Sequence, residues 1–235
     1  MIALITPTGA RPDQIRLCAK FMKAQTIKDV VWIIVDDALP RSTDFIKEDF
    51  KEGWTIEKIY PEPFWQFGQN TQGRNIAAAM QRVKELNPDA IFIIEDDDYY
   101  SPTYIEKMLV KLQGYDLAGE RNTIYYNVRL RRWCRNGNAL WSSLFQTAFT
   151  MAVVPVFEKL YGEKFIDLEL FKNIRNKNLF NDGDYGIGIK GQPGRAGIGA
   201  GHGWIRNMIP DPDMSKLREF IGEDYKYYER AYRYL

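Results

Sequence analysis

Residues 90–102 read AIFIIEDDDYYSP, an apolar run that passes straight into four consecutive acids, Glu95, Asp96, Asp97 and Asp98. Like charges crowded at the end of a buried segment repel one another and lose hydration, so such a cluster persists where a cation or a ligand's hydroxyl groups compensate it. A divalent metal would do so. A helix N-terminus also attracts acids, and Ser101-Pro102 does open an apolar-periodic segment with Ile105, Met108, Leu109 and Leu112. Capping accounts for one or two acids, not for four.

Two further stretches carry chemistry of the same kind. TPTGARP contains Thr6, Pro7, Thr8 and Arg11, and VVWIIVDD ends on Asp36 and Asp37. His202, the single histidine, stands between Gly201 and Gly203 in a segment, 181–204, that holds nine of the eighteen glycines. Carboxylates joined by one imidazole suit manganese or a related divalent ion better than calcium, which makes His202 a candidate ligand. A lone histidine is otherwise more often structural. The run GIGIKG (186–191) matches the letters of a dinucleotide fingerprint, but QPGRAGIG follows it and cannot propagate the helix that such a site needs.

The elements that must position these residues are legible in the first half. Residues 2–6, 30–37, 55–60 and 90–95 read as apolar strands, and a helix opening at Pro12 carries Ile15, Cys18, Ala19 and Met22 at helical spacing. A second helix over 72–86 is stopped by Asn87-Pro88. Strands alternating with amphipathic helices predict a mostly parallel sheet covered on both faces, whose ligands bind beyond the carboxyl ends of the strands. Three polar strand ends are thereby sent to one crevice. The second half is less regular: 123–133 and 146–155 read as strands, a loop or hairpin lies between them, a helix covers 166–177, and the tyrosine-rich tail 225–235 reads as a helix packed on the core or as another acceptor contact.

A chain of 235 residues, 45% of them hydrophobic, buries a sizeable core as one domain, and its net charge of +1 advertises no global attraction to nucleic acid. The opening residues lack a charged segment followed by a long apolar core, and no run reaches the roughly 18 apolar residues of a membrane span, so the chain reads as cytoplasmic. Cys18 and Cys134 lack metal-ligand spacing and read as free thiols.

IALITPTGARP, IIVDDAL, GRNIAAAM and IFIIEDDDYYSP, in this order, resemble the donor-binding half of a GT-A glycosyltransferase of the family 2 type. The resemblance covers residues 1 to 115. It implies an α/β, Rossmann-like fold with a mostly parallel sheet flanked by helices and an antiparallel C-terminal portion. Residues 1–115 would bind the nucleotide sugar, and 116–235 would bind the acceptor and carry the catalytic base, within one domain overall. By the same resemblance Asp36 or Asp37 contacts base or ribose, Asp96 or its neighbour Asp97 the ribose, and Asp98 a divalent metal, Mn²⁺ or Mg²⁺. Arg74 and Asn75 match the helix beside a donor such as a UDP sugar. GDYGIGIK (183–190) is similar to the stretch that supplies the base in inverting members, with Asp184 in that position, Asp182 as its neighbour, and Gly183 and Lys190 replacing the usual acid and arginine.

The implied chemistry is coherent. A divalent ion stabilises charge developing on the departing diphosphate, and a carboxylate takes the proton of the attacking hydroxyl. RLRRWCRNGNALW interleaves Arg129, Arg131, Arg132 and Arg135 with Trp133, a pattern that could grip phosphates and stack on rings. The chain also looks similar to phage-type enzymes that glycosylate hydroxymethylated pyrimidines in DNA, against saccharide or lipid-linked acceptors. Rival readings are a sugar-phosphate nucleotidyltransferase, a glycosidase with paired carboxylates, and a non-catalytic metal or carbohydrate-binding module.

Overall fold

The computed structural model describes residues 1–181, 185–195 and 207–231. The strands are β1 (Ile2–Thr8), β2 (Val30–Asp36), β3 (Trp54–Ile59), β4 (Ala90–Ile93), β5 (Tyr99–Tyr100), β6 (Leu117–Glu120), β7 (Asn122–Asn127), β8 (Arg132–Gly137), β9 (Thr147–Phe149), β10 (Lys177–Phe180), β11 (Gly186–Lys190) and β12 (Ile209–Pro210). The α-helices are α1 (Pro12–Ala24), α2 (Gln72–Leu86), α3 (Tyr104–Leu112), α4 (Val154–Phe157), α5 (Ile166–Asn173), α6 (Ser215–Ile221) and α7 (Tyr225–Ala231).

Seven strands form one sheet in the order β10-β6-β9-β4-β1-β2-β3. Its β1, β2, β3 and β4 are mutually parallel, β10 is parallel to β6, and only β9 runs antiparallel to its neighbours. The continuous apolar runs have a two-sided explanation. In β1, Ile2 and Leu4 belong to one core while Ala3 and Ile5 belong to the other, and β2 divides Val30, Trp32 and Ile34 from Val31, Ile33 and Val35 in the same way. Helix α1 covers the first face with Ile15, Cys18, Phe21 and Met22; α2 covers the second with Ile76, Ala79, Met80 and Val83. Each such side chain, fully buried, stabilises the fold by roughly 1.5–3 kcal/mol for the larger aliphatics.

A second sheet, β12-β8-β7-β11-β5, lies beyond the strand ends and is less purely antiparallel than expected, because β11 runs parallel to β7. The sequence halves interlock: β5 joins this sheet, and β6, β9 and β10 join the first. The predicted strand 123–133 is instead an antiparallel hairpin of β7 and β8. Asn127 Oδ1 accepts a hydrogen bond from Leu130 N at 3.0 Å, and Arg131 turns the chain at φ 49°. Only Thr147–Phe149 of the predicted strand 146–155 is extended, since Pro155 falls in the first turn of α4. The predicted helix 166–177 ends at Asn173, after which Ile174 is extended and buried.

Candidate functional site: a cavity at the strand ends

A cavity of about 960 Å³ opens beyond β1 and β4. That is the upper end of the roughly 300–1,000 Å³ typical of ligand pockets. On the strand-end side it is lined by Pro7, Thr8, Arg11, Asn75, Glu95, Asp96, Asp97, Lys190 and Arg195. Trp65, Trp141, Phe165 and Asp167 complete it from other segments.

The acids are held by cations brought from afar. Asp96 accepts Thr8 Oγ1 at 2.6 Å and Arg11 Nη1 at 2.5 Å; Arg11 Nη2 reaches Asp97 at 3.0 Å. Arg11 also donates to the Arg195 carbonyl, and Gln192 Nε2 donates to the Asp97 carbonyl at 2.6 Å, so the segment after β11 is tied to the acids. Burial raises the Asp96 carboxyl above the ordinary aspartate range and Arg11 works against it, while Glu95 is likewise raised by burial. Gln72 Nε2 donates to Glu95 at 2.8 Å.

Asp98 is fully buried and does not itself line the cavity. Its Oδ1 accepts Ile189 N at 2.8 Å and Lys190 Nζ at 3.2 Å; its Oδ2 has no hydrogen-bond partner among the described residues. Carboxylate oxygens of Glu95, Asp97 and Asp98 lie within 4.8 Å of one another. An orphaned buried oxygen in a group of three carboxylates is what a divalent cation would satisfy, so the donor set fits the metal that the sequence implies. His202, Asp182 and Asp184 lie outside the described residues.

Asp36 and Asp37 are both fully buried, and neither lines the cavity. Asp36 organises the next loop, accepting Ala38 N, Ser42 N, Thr43 N and Thr43 Oγ1 at 2.7–3.1 Å. Asp37 gathers Arg74 at 3.0 Å, Asn75 at 2.9 Å, Arg195 at 2.9 Å and the Thr71 hydroxyl. Asp36 thus holds the loop after β2, and Asp37 holds Asn75 and Arg195, which line the cavity. Gly9 makes this possible, because a Cβ there would stand 1.9 Å from Asp37 Oδ1. Thr6 also points inward, where its hydroxyl accepts Trp32 Nε1 at 2.8 Å. Arg74 is outside the cavity lining and donates to the Pro63 carbonyl.

The arginine-tryptophan segment divides. Arg129 and Arg135 are exposed, but Trp133 packs edge-on against Phe220 at 5.4 Å, and Arg131 and Arg132 donate to the Pro212 and Met208 carbonyls. None of the five lines the cavity.

Asp167 is the residue that sequence reasoning missed. It opens α5, accepts Leu168 N at 2.9 Å, and lines the cavity from a segment far from the strand-end acids in sequence. Burial raises its carboxyl above the ordinary aspartate value. The signal was FIDLEL, an acid set just before an apolar periodic run, which reads as an ordinary helix start. Arg195 was missed as well; its guanidinium lies 5.0 Å from the Trp65 ring centroid.

Residues 3–175 match the family described as Glycosyl transferase family 2. The chain belongs to that family. It is 31% identical over 64 residues to the uncharacterized glycosyltransferase YwdF of Bacillus subtilis (strain 168), a match spanning 27% of this chain and 24% of YwdF. Among solved structures, S. aureus TarS 1-349 in complex with UDP-GlcNAc superposes with a TM-score of 0.61 at 15% identity, covering 85% of this chain and 61% of that one. The UDP complex of the same TarS fragment gives 0.59 at 15% identity, over 80% of this chain and 60% of that one. The family 2 chain thus spans about three-fifths of the TarS fragment and shares its GT-A fold. Its sheet, its acids after β4 and its cavity occupy the ligand position general to open α/β sheets. Among the described residues no helix is long and apolar enough to cross a membrane.

Proposed function

We propose that this family 2 chain moves a sugar from a nucleoside-diphosphate sugar to a hydroxyl acceptor. The observation that carries the reading is one cavity lined by ion-paired arginines and acids at the strand ends and by a further carboxyl, Asp167, from α5. TarS, solved with UDP and UDP-GlcNAc, supports UDP sugars as the first donors to try. Glu95, Asp97 and Asp98 would hold Mn²⁺ or Mg²⁺, with His202 the further ligand suggested by sequence. When bound, that ion would neutralise charge developing on the departing diphosphate.

The chain's own residues do the rest. Arg11 and Arg195 bring positive charge to the donor side, and Asp37 fixes the directions of Asn75 and Arg195. Asp167 is the base that the described residues supply, accepting the proton of the acceptor hydroxyl at its carboxylate. Asp184 and Asp182 are the alternatives from the glycine-rich segment. For the acceptor, a hydroxymethylated pyrimidine in DNA draws its support from the exposed charges of Arg129 and Arg135, not from ring stacking, because Trp133 is packed.

Thermal melting against nucleoside diphosphates, with and without MnCl₂, tests the reading. A ligand present at 100 times its Kd stabilises by about 2.7 kcal/mol, so at least one diphosphate should raise Tm, more so with manganese. Stabilisation by calcium with no nucleotide response would leave a binding module instead. Release of pyrophosphate in turnover would identify a nucleotidyltransferase.

A further inference from the structure

Lys190 is a cation built into the acid cluster. It ends β11, paired in register with Asn127 of β7. Along β11 the side chains alternate, so Ile187 and Ile189 enter the core while Gly188 and Lys190 face the other way. A Cβ on Gly188 would stand 2.4 Å from Tyr125 Cδ1 and 3.3 Å from Lys190 Cε. The Tyr125 ring and the lysine stem therefore lie over the bare glycine. The rings of Tyr125 and Phe145 flank Nζ at 5.7 Å each, and both rings also line the cavity.

An ammonium has three donors. Among the described residues Lys190 donates one hydrogen bond, to Asp98 Oδ1 at 3.2 Å, and it lines the cavity although its side chain is only 7% exposed. Burial opposes its charge, but Asp98, Asp97 and Glu95 outweigh that effect and hold its pKa above the ordinary lysine value. A lysine serving only to neutralise Asp98 would add little stability, since a buried ion pair is often matched by apolar side chains of similar volume. Two spare donors on a buried cation that borders a cavity call instead for an anionic ligand.

We propose that the Lys190 ammonium is a donor-binding group in its own right, contacting the diphosphate of the nucleotide sugar and sustaining part of the donor affinity without any divalent ion. The inference rests on the nucleotide-sugar reading above. Lys190 occupies one oxygen of Asp98 and leaves Oδ2 for a metal, so the two cations add rather than compete.

The test is calorimetric titration of the full chain with UDP, GDP, ADP, CDP and dTDP, in EDTA and then in MnCl₂. The expected result is that at least one diphosphate binds in EDTA. Lys190→Gln should weaken that binding roughly 10- to 100-fold, the range for a lost hydrogen bond to a charged group. Lys190→Arg should stay within a few fold, and the affinity for the corresponding nucleoside, which has no phosphate, should not change. Wild-type binding only with manganese overturns the proposal without recourse to any variant, and so does a folded Lys190→Gln protein that binds as wild type in EDTA. Absence of binding to all five diphosphates in both buffers would instead remove the nucleotide-sugar reading itself.

Discussion

At the strand ends Arg11 serves Asp96, Asp97 and the Arg195 carbonyl, and behind the cavity lining Asp37 collects four side chains. At the start of α5, Asp167 accepts the amide next to it, while Lys164 and Phe165 are exposed and Trp141 is half-buried. The strand-end groups are held by ion pairs and hydrogen bonds, while the α5 side carries exposed groups and a carboxyl held by its neighbouring amide. If the first is the donor side and the second the acceptor side, as proposed above, substitutions on the two walls should fail in different ways.

The largest expected effect lies on the α5 side. Asp167→Asn keeps the shape but removes the proton acceptor, so transfer should fall by about 10²–10⁴-fold with diphosphate affinity unchanged, read by steady-state rates beside calorimetry. Burial raises this carboxyl, so the acid limb of the pH-rate profile should lie above the ordinary aspartate range. The same sign makes its stability contribution complete below the unfolded value and lost as pH rises through the folded one. Retained turnover in Asp167→Asn would return the base to Asp184 or Asp182. Loss of nucleotide binding would dissolve the distinction between the walls.

Next comes Arg11→Met, which leaves Asp96 and Asp97 buried without their shared cation. Breaking such a network costs roughly 3–5 kcal/mol, measurable by urea unfolding, and donor binding should weaken with it. A variant of native stability would mean that the strand-end wall is less rigidly built than its hydrogen bonds indicate.

The smallest effect belongs outside both walls. Arg129→Ala, at an exposed turn, should change stability by less than about 0.5 kcal/mol. If glycosyl transfer to DNA containing 5-hydroxymethylcytosine falls steeply with salt, and falls further in this variant, the acceptor surface extends beyond the cavity to the β7–β8 hairpin.

The sequence by itself determined the sheet's apolar strands, both long helices and the acids at the strand ends, because periodicity is local and strong there. Ile15, Cys18 and Met22, or Ile76, Ala79, Met80 and Val83, mark a helix face with no help from distant residues. It also placed Thr8, Asp96 and Asp97 beyond the carboxyl ends of strands, where the structure finds them lining the cavity. Which acids face a ligand was decided only by the tertiary structure. Asp36 and Asp97 look alike in the chain, yet one is consumed by backbone amides of residues 38–43 and the other borders the cavity. The hairpin at 122–137, the parallel pairing of β11 with β7 and the arrival of Asp167 at the cavity depend on contacts between segments tens of residues apart. A side chain's direction past the last paired residue of a strand is set by those contacts, and no local pattern encodes it.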